Sequence, residues 1–179
     1  MALKATIFKA DVSISDMDRQ YYQSHHLTVA RHPSETDARM MLRIVAFILN
    51  ASDTLEFTKG LSEVDDPDLW QKSLTDEIEL WLELGQPSEQ RIKKGCNQAK
   101  CMKIYSYADN GFETWWSKEK NKVWVRENLQ VITVDASLAE QLSALVDRNM
   151  QIQATIQDGQ VWLMIGETSV ELVPDLRKS

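Results

Sequence analysis

The sequence predicts a mixed α/β fold, an α+β mixed sheet in one domain over residues 1–179, from three observations: a β-rich opening, a strand-helix-strand unit in the middle and a hairpin signal near the end. Residues 3–11 alternate through Leu3, Ala5, Ile7, Lys9 and Asp11, and residues 20–31 are rich in β-formers. The polar turn Ser15-Asp16-Met17-Asp18 joins them, so the two read as an antiparallel pair. His32-Pro33-Ser34 halts the second strand. Ser34 is placed to cap a helix whose first turn carries Glu35 and Asp37, acids suited to the positive end of the dipole. Ala38, Met41, Leu42, Val45, Ala46 and Leu49 recur at helical spacing, and Ile44, Phe47 and Ile48 widen the apolar face. That pattern predicts a central, largely buried helix.

Asp66-Pro67 resembles an N-cap followed by a first-turn proline, predicting a short helix from Asp68 to about Leu74. From Ile78 to Gly85 the chain alternates, with Ile78, Leu80, Leu82 and Leu84 on one face and Glu79, Trp81, Glu83 and Gly85 on the other. Gly85-Gln86-Pro87 ends this strand, Ser88 opens a helix to about Ala99, and Cys101–Tyr107 reads as a further strand. Strand, helix, strand normally means two parallel strands joined by a crossover. Phe112–Lys120 reads as helix and Leu129–Val134 as strand. Ser137 and Glu140 have capping-box spacing before Leu138, Leu142 and Leu145. Finally, Met150–Ile156 and Val161–Ile165 flank Asp158-Gly159, a strong hairpin signal, so antiparallel hairpins flank the central unit.

A chain of 179 residues with 43% hydrophobic and 26% charged residues and ten Gly plus Pro has an ordinary globular composition. At that length about 70% of the unfolded surface can be buried. No segment approaches the ~20 apolar residues of a membrane span, and the opening lacks a signal-peptide pattern, so a cytoplasmic protein with no membrane partner is expected. Cys96 and Cys101 have no zinc spacing and read as free thiols. The net charge of -7 disfavours indiscriminate nucleic-acid binding, yet residues 91–126 carry nine Lys or Arg against three acids. Residues 51–90, just upstream, hold eleven acids and two lysines.

Chemistry is most readily placed at the end of the strand ELWLELGQP, which delivers Glu83 beside Gln86 and the start of a helix. Ligands of open α/β sheets bind at the carboxyl ends of strands. Glu79 and Glu83 are about 13 Å apart along one strand, too far to share a magnesium ion, so a partner acid must come from elsewhere. Asp66 and Asp68 supply it. Pro67-Asp68 followed by Glu83 resembles the PD-(D/E)xK arrangement, in which two acids and a lysine gather around a divalent metal. Gly85 stands where that pattern has its lysine, and Lys94, on the following helix, is the substitute amine. The strings MALKATIFKADVSISDMDRQYY, HHLTVARHPSETDARMMLRIVAFIL, LSEVDDPDLW and ELWLELGQPSEQRIKKGC are similar to the bacterial YaeQ family. That resemblance implies a variant of the restriction-endonuclease-like core and leaves the biochemical role open.

These readings give two expectations. In the first, a magnesium-dependent nuclease or nucleic-acid-binding protein, Glu83, Gln86 and Lys94 are catalytic and Asp68, Glu83 and Asp66 hold the metal. Arg91 and Lys94 would meet phosphate, while Trp115 and Lys118 belong to a basic segment that could stack bases; packing of at least two of Trp115, Trp116 and Trp124 into the core is the competing reading. In the second, a non-catalytic adaptor keeps the fold and binds a protein partner. His25, His26 and His32 are assigned no site, because the first two point to opposite sides of a strand.

Overall fold

The computed structural model describes residues 4–59 and 64–179, so Leu3, where the first predicted strand begins, lies outside them. Two sheets organise the molecule. The first has the order β10-β9-β8-β1-β2, from β1 (Thr6–Asp16), β2 (Tyr21–Arg31), β8 (Asn149–Gln157), β9 (Gln160–Ile165) and β10 (Thr168–Leu172). The second has the order β11-β7-β6-β5-β4-β3, from β3 (Leu55–Phe57), β4 (Leu69–Lys72), β5 (Ile78–Leu84), β6 (Ala99–Tyr107), β7 (Leu129–Val134) and β11 (Asp175–Lys178). Both are mixed. β1 pairs antiparallel with β2 and parallel with β8, while β5, β6 and β7 run parallel beside antiparallel β3, β4 and β11.

Helix α1 (Asp37–Asn50) lies between the sheets, and from Met40 to Ile48 every residue of it is buried. A helix buried on every side, with Arg43 the one charge in that stretch, belongs in such a place. Phe8, Ala10, Val12 and Ile14 of β1 reach it from one side, and Leu82, Leu84, Tyr105 and Tyr107 from the other. Helix α4 (Leu138–Ser143) contributes Leu138 and Leu142 to the same core. The opposite face of the second sheet builds another core. There Trp81, Met102, Ile104, Leu129 and Val131 meet Ile92 and Cys96 of α2 (Glu89–Gln98) and Phe112 and Val123 of α3 (Asn110–Trp124). The strands of this sheet are thus covered on both faces, and the alternation read along β5 divides its side chains between two interiors. Ile78 departs from it and packs with the Trp81 group, where the β4–β5 register shifts.

Several expectations are corrected. The segment after Asp66-Pro67 is strand, not helix: Leu69, Trp70 and Gln71 pair with Leu82, Trp81 and Leu80. The local capping signal loses because an antiparallel partner lies alongside, and Pro67 itself favours extended backbone at Asp66. Helix α1 is capped by Thr36, whose side chain accepts from Arg39 N at 3.1 Å, while the Ser34 hydroxyl is bonded to His32 Nδ1. No capping box forms at α4, because the Ser137 hydroxyl donates to Asp135 Oδ1 at 2.5 Å. The first strand runs on to Asp16, which moves the turn to residues 17–20. Strands β3, β10 and β11 were not anticipated. The β5-α2-β6 unit and the β8–β9 hairpin are as read, with Asp158 and Gly159 at φ 53° and 76°. Both cysteines are free. Among the described residues no helix is long and apolar enough to cross a membrane.

Gly95 of α2 shows how tightly the second core is filled, because a Cβ there would lie 2.5 Å from Met102 Sδ and 3.1 Å from Trp81 Nε1. Alanine gains about 1 kcal/mol of helix propensity, but overpacking costs roughly 1–3 kcal/mol. Gly95→Ala is therefore expected to lose about 1 kcal/mol in urea unfolding, where propensity alone would make it gain.

Candidate functional site

The parallel strands β5, β6 and β7 end together at Leu84, Tyr107 and Val134. Beyond β5 and β6 opens a cleft of about 420 Å³, whose polar wall includes Thr36, Arg39, Gln86, Ser106, Tyr107 and Asp109. Thr36 and Asp109 cap α1 and α3, so two helix N-termini reach this rim. Gln86 is exposed there and donates through Nε2 to Ser106 Oγ at 2.9 Å. The Tyr107 hydroxyl donates to the Ala38 carbonyl at 2.6 Å, tying β6 to the start of α1. Burial pushes that phenol above its ordinary pKa.

Two carboxylates, neither of them in its lining, adjoin the cleft behind Arg39 and Leu84. Leu69 pairs with Leu82 and Asp68 N donates to Leu82 O at 3.0 Å, so the β4–β5 register carries Asp68 to Glu83. Only 3% of Asp68 and 4% of Glu83 is exposed, which decides that neither is a free surface acid. Asp68 Oδ2 accepts from Leu84 N and Oδ1 from Arg39 Nη2, both at 2.9 Å. Glu83 Oε1 accepts from Trp81 Nε1 at 2.9 Å and pairs with Arg91 Nε at 2.8 Å. Burial, then the neighbouring Asp68, raise the Glu83 carboxyl to about 7 against the opposing pull of Arg91 and Trp81.

The arginines extend these contacts into a chain of alternating sign. Arg39 Nη1 donates to Glu35 Oε2 at 2.6 Å, and buried Arg43 donates through Nη2 to Glu35 Oε1 at 2.6 Å and to Ala30 O at 2.9 Å. Arg91 also donates to the carbonyls of Val64 and Asp66. The sequence reading missed Glu35, Arg39 and Arg43 as members of the site. Their signal was present: an acid just before the helix and two arginines in it, at four-residue spacing, in a stretch that is mostly apolar.

Of the proposed site residues, Asp68 and Glu83 are brought together and Arg91 joins them. Asp66 enters through its carbonyl, and Gln86 lies across the cleft rim with Ser106. Lys94 pairs with Asp65 at 2.8 Å. Trp115 donates to Pro87 O at 2.9 Å and packs, like Trp116, in the second core, while Lys118 is exposed. Trp124 remains 60% exposed. The histidines are dispersed, with His25 on Tyr21, His26 on Asp11 and His32 on Ser34.

Magnesium demands near-octahedral oxygen ligands at about 2.1 Å. Both Asp68 oxygens and Glu83 Oε1 are engaged by arginine, indole or backbone donors. Among the described residues no three of His, Cys, Asp and Glu converge as a metal cluster. In this arrangement the acids do not fit the ion unless Arg39 and Arg91 withdraw.

Two outcomes follow for stability. Arg39→Met leaves buried Asp68 without its cation and Glu35 with Arg43 alone, and is expected to cost about 3 kcal/mol in urea unfolding. Arg39→Lys should recover only part of that loss, since one ammonium lacks the two-pronged reach of a guanidinium. Glu83 acts through pH. Folded, it keeps its proton to about 7, whereas its ordinary value is 4.5, so the protein loses stability as pH rises between those values. Glu83→Gln, which mimics the protonated acid, should flatten that slope and raise the melting temperature at pH 8 relative to the parent, with little difference at pH 4.

The family model for YaeQ protein matches residues 1–174. The chain is 45% identical over 172 residues to the uncharacterised YaeQ of Salmonella typhi, covering 96% of this chain and 95% of that one. It is 44% identical to the Escherichia coli K12 protein of the same description, with the same coverage. The crystal structure of YaeQ protein from Xanthomonas axonopodis pv. citri superposes with a TM-score of 0.94 at 46% identity, covering 98% of this chain and 99% of that one. That of YaeQ protein from Pseudomonas syringae gives 0.93 at 29% identity, over 98% and 97%. Architecture, length and sequence agree across nearly the whole chain, which belongs to the YaeQ family.

Proposed function

We propose that this protein is a restriction-endonuclease-like module that binds nucleic acid and, with its acids held by arginines, does not cut it. The observation that carries the reading is the fate of Asp68 and Glu83: they meet at the strand ends and are committed to Arg39 and Arg91, while the substitute amine, Lys94, turns to Asp65. Nucleic acid as the ligand draws support from the basic stretch after them. Lys93, Lys118 and Lys120 stand exposed without a side-chain partner among the described residues. Trp124 is exposed four residues beyond Lys120 on the same helix, a spacing that lets a base stack where a phosphate meets the amine.

A second reading, a magnesium-dependent nuclease, is favoured by the raised Glu83 carboxyl. A cation that displaced the arginines would take over the proton's part in relieving two adjacent acids. Labelled single-stranded DNA, duplex and RNA, incubated with magnesium or manganese, separate the two. The binding reading expects no turnover, complexes that survive chelator, and affinity that falls steeply with salt. Each phosphate that Lys118→Ala or Lys120→Ala leaves without its amine should lower the slope of log affinity against log salt by about 0.7 for a single strand. Turnover abolished in Glu83→Ala overturns it in favour of the nuclease. Absence of binding at low salt overturns both and leaves the adaptor with a protein partner, to be sought by pull-down.

A further inference from the structure

The first sheet ends in β2, and three features set this edge apart. It is eleven residues long and in unbroken register with β1, whereas the other edge strands, β10, β11 and β3, have five, four and three residues. From Tyr21 to Ala30 it contains no Asp, Glu, Lys, Arg, Pro or Gly. By contrast, β10 carries Glu171, and β11 carries Asp175, Arg177 and Lys178 with a register shift. Charges, prolines, bulges and shortness are how edge strands are kept from pairing, and β2 has none of them before Arg31, its last residue.

Its outward groups can be assigned. Lys9 N donates to Arg148 O at 2.8 Å, so odd residues of β1 bond towards β8 and even ones towards β2. The partners of those even residues in β2 are odd, which leaves the backbone of the even residues turned away from the sheet. The Ala30 carbonyl agrees, because it is reached from outside by Arg43. That bond closes one end of the edge. The N–H and C=O groups of Tyr22, Ser24, His26 and Thr28 remain, and no other described strand neighbours β2 on that side.

We propose that this edge pairs with β2 of a second copy of the chain, antiparallel about a two-fold axis at His25, joining two five-stranded sheets into one. Tyr22 then faces Thr28 of the partner and Ser24 faces its His26. The register is self-complementary, and no formally charged side chain opposes another. A two-fold contact needs a patch that tolerates its own copy, and this charge-free stretch does. The outer face of the strand is already exposed at Tyr22, Ser24, His26 and Thr28, so pairing satisfies backbone groups without burying a charge.

Light scattering and sedimentation over a wide concentration range test the proposal, with Ser24→Pro and Ser24→Lys beside the parent. Ser24 N faces outward, so proline there leaves the β1 ladder intact and removes a donor from the edge. Lysine keeps the donor and places a charge against His26 of the second copy. The parent is expected at twice its 20.6 kDa, and both variants at 20.6 kDa with unchanged circular dichroism. If proline disturbs the fold, lysine decides the matter alone. A parent that stays at 20.6 kDa, or a dimer that persists in Ser24→Lys, overturns the proposal.

Discussion

Charge taken out of water must be answered by charge, and this molecule does so along one line: Arg43, Glu35, Arg39, Asp68, then Glu83 and Arg91. The line begins on α1 between the sheets, crosses the β4–β5 pair and ends on α2 behind the second sheet, so it pins three layers in one relative position. Such a chain is a weak source of net stability, because desolvation offsets most of the attraction. What it enforces is geometry. Each guanidinium meets its acids from a fixed direction, and Asp68 also holds Leu84 N, which fixes the end of β5 and with it the cleft floor. The one junction where like charges meet, Asp68 beside Glu83, is where a proton is retained to about 7.

How much of this the sequence disclosed depended on whether the deciding contact was local. Asp158-Gly159 announces its hairpin because both residues tolerate positive φ, and the stretch from Met40 to Ile48, apolar but for Arg43, reads as an interior helix. Glu83 was legible as the acid at a strand end, and Asp68 as its partner through the Pro67-Asp68 spacing. Arg91 was legible on the helix after Glu83, but Arg39 and Arg43 were not read as its counterparts. Glu35, Arg39 and Arg43 at four-residue spacing look like ordinary solvated pairs until the second sheet covers them. Strand β4 was misread because Asp66-Pro67 has local capping chemistry, whereas the strand exists through its pairing with β5. The same holds for β3, β10 and β11, each too short for periodicity to show.

The basic segment also divides only in three dimensions. Trp115 and Trp116 stack near Phe112 and cover the second core, while Trp124, a few residues on, faces water. Glu83, Asp65 and Glu89 take up Arg91, Lys94 and Lys122, so the cations left for a ligand are fewer than the composition suggests.

One topological detail bears on how the molecule comes into being. β1 lies between β2, its immediate successor, and β8, and the Ile7 carbonyl accepts from Arg148 across 141 positions of sequence. As a nascent chain leaves the ribosome, β1 and β2 emerge early and the β1 flank then stays open for most of translation. Sheet closure is therefore a late, long-range event. Until β8 arrives, the backbone groups of β1 on that side have only water to bond, so the strand at the heart of the finished sheet is an edge in the nascent one.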